Sequence, residues 1–170
     1  MNPFHDFKGI QDPRTVVQQD KTLLEELMRI GDQAIEQYHK GIKPNFLEWE
    51  NHREAYQELE KLTLPEYSSA ELQALVMSYA YTQETSQKQI VRGLYTGVLA
   101  SALGEKGESL HLQGAGNSFP YLLYFARTLD EVTVEDFKGD YILSHAADYG
   151  EGRNIVLNNI KGNYAGWRIA

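Results

Sequence analysis

The chain has 170 residues, 42% of them hydrophobic and 24% charged, with a net charge of −8 and no cysteine. That length fits one domain able to bury its own core, so no metal or disulfide staple is needed. The missing cysteines exclude disulfide scaffolds, thiolate metal sites and cysteine nucleophiles, and the acidity lacks the basic footprint that nucleic acid requires. The start Met1-Asn2-Pro3-Phe4-His5-Asp6 does not read as a signal peptide, and no apolar run is long enough to span a membrane. The expectation is a cytoplasmic protein.

Residues 1–11 read as an irregular lead-in. Asp12-Pro13 then carries a helix-start signal, a carboxylate N-cap followed by proline at the first helical position. Leu24, Leu27, Met28, Ile35 and Tyr38 recur at helical spacing up to His39-Lys40-Gly41, which predicts a helix over 13–40. His39 at its end suits a dipole-complementing role. A second helix is expected from Pro44 to just before Pro65, with Phe46, Trp49, Tyr56, Leu59 and Leu62 inward and a glutamate-rich outer face. His52 falls on the apolar side, where a core histidine bonded through one nitrogen is the plain reading.

Ser68-Ser69-Ala70-Glu71 fits a capping box and opens a third helix. The fourth, over 87–103, has a continuous apolar stripe from Ile90 to Leu103. Beside that stripe run Gly93, Gly97 and Ser101, four residues apart. An interior glycine costs about 1 kcal/mol against alanine, so such a ridge implies another backbone lying close.

After Gly107 the texture changes to short apolar runs between glycine-rich turns: Leu110–Leu112, Tyr121–Phe125, Tyr141–Leu143, Ile155–Leu157 and Tyr164–Ile169. These read as strands, although 121–129 could equally begin a helix, and Thr133–Phe137 reads as a helical turn. Lys161-Gly162-Asn163 between two apolar runs predicts an antiparallel hairpin. No internal repeat of fixed period is evident. The expected fold is α+β: a bundle of three to four helices over about 13–103 on a small, mostly antiparallel sheet over 108–170. Residues 1–104 and 105–170 then form the two parts of one domain.

Functional signals are sparse. His111 and Gln113 precede Gly114-Ala115-Gly116-Asn117-Ser118, and closely spaced glycines can turn backbone N–H groups toward an anion. This makes Gly114, Gly116 and Asn117 candidate ligand contacts, with His111, Ser118 and His145 as candidate catalytic groups. An ordinary tight turn and a half-exposed edge histidine are the plainer readings. Ser144 and His145 are adjacent, which argues against a local triad with Asp148. The pairs Glu36/His39 and Glu108/His111 have the Glu-x-x-His spacing of di-metal bundles, but the second lies in a glycine-bounded, non-helical stretch. No metal site or cofactor fingerprint is complete. Eleven tyrosines, among them Tyr149 and Tyr164, together with Trp167, favour an interface. The expectation is therefore a non-enzymatic module with an acidic, aromatic-containing surface that binds another protein, a basic one by charge. The inhibitor, immunity or regulatory types all fit. A ligand-binding protein or enzyme centred on the Gly114–Ser118 loop is the alternative.

Overall fold

A computed structural model of the chain describes residues 13–45, 48–82, 84–148 and 150–169. The expected cap at Asp12, Phe46 and Tyr149 lie outside the described residues. Four helices come first, α1 (Pro13–Tyr38), α2 (Trp49–Leu59), α3 (Ser69–Tyr79) and α4 (Ser86–Glu105), followed by strands β1 (Leu110–Gln113), β2 (Thr128–Glu135) and β3 (Glu151–Asn158). The α+β expectation holds, and α1 ends in a short 3-10 turn, His39–Gly41.

α2 is shorter than the expected 44–64. Its Asn51 accepts from Lys43 N (3.0 Å) and donates to Gly41 O (3.2 Å), and the His52 Nε2–H donates to Lys43 O (2.7 Å). These bonds hold 41–43 as a loop wrapped onto the helix. The capping box of α3 forms as its sequence implies: Ser68 accepts from Ala70 N, and Glu71 accepts from Ser68 N at 2.8 Å.

α4 is the centre of the molecule, buried continuously from Ile90 to Ser101 and packed against α1, α2, α3 and β2. The glycine ridge does what its spacing implied. An added Cβ would lie 2.1 Å from Tyr121 O at Gly93, 2.3 Å from Tyr124 O at Gly97 and 2.2 Å from Thr128 O at Gly104. Ser101, on the same line, donates to Gly97 O (2.9 Å) and accepts from Arg127 N (2.7 Å) and from the Tyr56 hydroxyl (2.9 Å). One hydroxyl thereby spends its donor and both lone pairs tying α2 and α4 to the segment after Tyr124.

The sheet is parallel throughout, in the order β1-β2-β3, and this corrects the mostly antiparallel expectation. Leu110 pairs with Val132, 22 residues on, and Val132 with Ile155, a further 23. The back of the protein is therefore a short solenoid whose coils stack one on another. Thr133–Phe137 is not a helical turn, since β2 runs through Glu135. Residues 154–160 and 164–169 form no hairpin, because Lys161-Gly162-Asn163 carries the chain onward round its coil.

The runs 121–125, 141–143 and 164–169 are not strands. They are chains of tight turns in which alternate residues take positive φ: Tyr121, Leu123 and Phe125, then Tyr141, Leu143, His145 and Ala147, then Tyr164, Gly166 and Arg168. Bulky L-residues pay about 1–2 kcal/mol each for that conformation. Stacking holds them there through bonds such as Tyr121 N to Asp140 O (2.8 Å), Leu143 N to Leu122 O (2.8 Å), Gly166 N to Ile142 O (2.8 Å) and His145 N to Trp167 O (2.9 Å). Leu122, Leu123, Ile142 and Leu143 fill the interior, while Tyr121, Tyr141 and Tyr164 form an outer ring stack with centroids 5.1 and 5.0 Å apart.

Candidate functional site

The Gly114–Ser118 loop is the first bend of the solenoid. Gly114 N donates to Glu135 O (2.8 Å), Gly116 N to Asp136 O (2.7 Å), Asn117 N to Gly114 O (2.9 Å) and Phe119 N to Lys138 O (2.7 Å). Three of these bonds join the loop to the next coil and the one from Asn117 closes the turn, so these four N–H groups are already engaged. A Cβ at Gly114 would meet the Phe137 ring and Asp136 O, so that glycine answers to packing, whereas Gly116 has φ +78° and open space around it. The Asn117 side chain donates back to Gly114 O (2.9 Å), and Ser118 is exposed beside Lys138.

His111 stands outward on β1, 63% exposed, with Nε2 3.3 Å from Glu135. His145 lies elsewhere, among the turn columns, and is buried rather than half-exposed. The structure thus separates the two histidines.

Around His145 three distant segments meet. Its ring stacks on Phe125 (4.7 Å, 6°) and on Trp49 of α2 (6.4 Å, 17°), with the Trp167 ring edge-on at 5.0 Å. Nδ1 lies 2.9 Å from Asp148 Oδ2 and donates to it, and Arg168 Nε sits 3.5 Å from the same oxygen. Burial pulls the His145 pKa below its ordinary value; the bond to Asp148 opposes this and Arg168 adds to it. The Asp148 contact spans three residues of a tight-turn chain, a geometry that adjacency in an assumed strand does not suggest.

The sequence placed Trp49 only on the inward face of the second helix and gave Arg168 no role, because their meeting depends wholly on how α2 lies against the solenoid. The Arg168 guanidinium lies 5.7 Å from both the Trp49 and Trp167 rings, and Arg53 covers Trp49 at 5.4 Å. Tyr164 (51% exposed) stands beside Trp167 (39% exposed), with ring centroids 6.2 Å apart. Arg53 and Arg168 flank the exposed aromatic face, with Asp148 beside Arg168.

Behind it, His52 uses both nitrogens. Since Nε2 donates to Lys43 O, Nδ1 accepts from the Tyr124 hydroxyl at 3.2 Å. Burial lowers the His52 pKa, opposed by the bond to Lys43. A second buried polar group went unforeseen: Arg92 on α4 pairs with Glu84 (2.9 Å) and lies 4.1 Å from the Tyr79 ring, at a cleft between α1, α3 and α4. Among the described residues no three His, Asp or Glu side chains converge as a metal site, and no helix is long and apolar enough to cross a membrane.

Compared with protein-family models, curated proteins and solved structures, the chain matches none.

Proposed function

We propose that the chain is a non-enzymatic cytoplasmic module that binds another protein through the face formed by Trp49, Tyr164, Trp167 and Arg168. One observation carries this reading: α2 and the last coil bring two tryptophans, a tyrosine and a guanidinium into mutual contact while leaving Tyr164, Trp167 and Arg168 exposed. Tryptophan, tyrosine and arginine are the residues that dominate binding energy at protein interfaces, since they bring large, stiff contact area at low entropic cost. The overall acidity would serve solubility.

A catalytic reading has less to stand on. Asp148 orients the His145 imidazole as it would a general base, but the adjacent hydroxyl, Ser144, donates to Tyr164 O and is not poised as a nucleophile.

The test is affinity capture from extracts of the source cells with the parent, Trp167→Ala and Tyr164→Ala, alongside thermal melts. Interface anchors cost about 2 kcal/mol or more on truncation, roughly a thirtyfold loss of affinity. Proteins retained by the parent and lost by folded variants support the reading. The same set captured by all three would refute it.

A further inference from the structure

The two edges of the solenoid differ. At the first, Gln73 of α3 caps β1 with its side-chain amide, accepting from Gln113 N and donating to Gln113 O, both at 2.9 Å. At the other, β3 is the terminal strand, and among the described residues no strand or helix pairs with its outer edge. Its outward side chains include Val156, 42% exposed. An edge strand presents alternate N–H and C=O groups to any extended segment that can align with it.

The coils also alternate in character. The middle coil, 128–148, holds six acids, Asp130, Glu131, Glu135, Asp136, Asp140 and Asp148, against one base, Lys138. The first coil meets them with donors: Ser109 to Glu131 (3.1 Å), His111 to Glu135 (3.3 Å) and Gln113 to Asp136 (2.6 Å). The last coil meets them from the other side. Arg153 pairs with Asp130 (3.1 Å) and Asn158 donates to Glu135 (3.3 Å). Asn159 donates to Asp136, Asn163 to Asp140 (3.1 Å), and Arg168 reaches Asp148 (3.5 Å). An acidic layer is thus sandwiched between two donor layers.

The outermost layer is a donor layer with nothing beyond it among the described residues. It carries Arg153, Lys161 and Arg168 against Glu151 alone, in a chain of net charge −8. The Arg153 side chain is 79% exposed and lies 3.1 Å from Asp130 as an ion pair, with most of its five N–H groups turned to the surface.

We infer that the outer edge of β3 receives an extended, acidic segment of the partner protein, laid down as a fourth layer whose carboxylates face Arg153, Lys161 and Arg168. This deepens the protein-binding reading and rests on it: the segment runs past the Tyr164–Trp167 face. Main-chain bonding along β3 supplies affinity without regard to sequence, and the alternation of donors and acids supplies the preference.

The probe is a 13-residue peptide reproducing Thr128–Asp140, the acidic layer that the last coil already recognises, compared with the same peptide carrying its acids as amides. Binding is followed by calorimetry at two salt concentrations and located by amide hydrogen exchange. The acidic peptide should bind the parent at least tenfold more tightly than the amide version, weaken as salt rises, and protect 151–158. The double variant Arg153→Glu/Lys161→Glu should reverse the preference, taking a peptide with lysines in place of the acids. Loss of acidic-peptide binding without that reversal overturns the inference, as does equal binding of the acidic and amide peptides by the parent. Protection of β3 that grows with protein concentration alone would make a second copy the occupant and also overturn it. If the double variant captures the same cellular proteins as the parent while Trp167→Ala does not, the acidic-segment inference falls and the protein-binding reading stands.

Discussion

Gly97→Ala probes the contact on which the whole architecture turns. A Cβ there would stand 2.3 Å from Tyr124 O and 3.2 Å from Ala126 N, both backbone atoms. An ordinary carbon–oxygen contact begins near 3.4 Å, so α4 and the first turn chain must separate by about 1 Å. Overpacking of that kind costs about 1–3 kcal/mol. Here it also strains the bonds from Leu123 N to Thr96 Oγ1 (3.3 Å) and from Arg127 N to Ser101 (2.7 Å). Opposing it is a gain of about 1 kcal/mol from replacing a helix-interior glycine with alanine. The backbone contact outweighs the propensity gain, because carbonyls fixed in a stacked ladder cannot swing aside as a side chain would. A net loss of about 1 kcal/mol, or about 2–4 °C in Tm for a chain of this size, is expected by calorimetry or circular dichroism. Gly41→Ala is the control: nothing lies within 4 Å of its added Cβ, and its Tm should stay near the parent's. A Gly97→Ala protein melting at or above the parent would refute the close-approach argument.

Ser101→Ala should cost more than its lost volume. It strands Arg127 N and the Tyr56 hydroxyl at about 1–3 kcal/mol for each unsatisfied group, read by denaturant unfolding. Ser68→Ala removes the capping box of α3 and should cost about 1 kcal/mol, with Ser68→Gly milder by the same assay. His52 and His145 both have folded pKa values below the ordinary histidine value, chiefly through burial, so the unfolded chain binds more protons. Their contribution is full above the unfolded pKa of about 6.5 and is lost as pH falls from there toward the lower folded values. Tm should therefore drop as pH falls below about 6.5, and the drop should be shallower in His52→Phe. A flat profile below that pH would remove the buried-neutral assignment.

A solenoid with an acidic layer between donor layers also bears on register. Glu131, Glu135, Asp136 and Asp140 of the middle coil accept hydrogen bonds from the coils on either side, and Asp130 faces Arg153, so sliding one coil by a residue would break several pairs at once. Parallel coils cannot take their register from a tight hairpin, and these polar ladders supply it in addition to the apolar columns inside.

The helices were legible because their determinants are local. The Ser68–Glu71 box, the run from Ile90 to Leu103 and the glycine ridge at Gly93 and Gly97 act within one or two turns of a helix, and each appears where its spacing implied. The solenoid was not. Tyr121–Phe125 and Tyr164–Ile169 have the length and composition of strands, and nothing local in bulky L-residues announces positive φ; only hydrogen bonds from the neighbouring coil hold it. The repeat has no fixed period in the sequence, because its spacing drifts, 22 and 23 residues along the strands but 20 and 23 between the stacked tyrosines, as the bends absorb insertions. The candidate site was hidden for the same reason. Tyr164 and Trp167 could be suspected from composition, whereas Trp49, His145 and Arg168 lie on three segments far apart in sequence. Sequence by itself determined what short-range forces decide, the helices and their caps; the direction of the strands, the turn columns and the aromatic face were decided by tertiary stacking, where long-range hydrogen bonds overrule local preference.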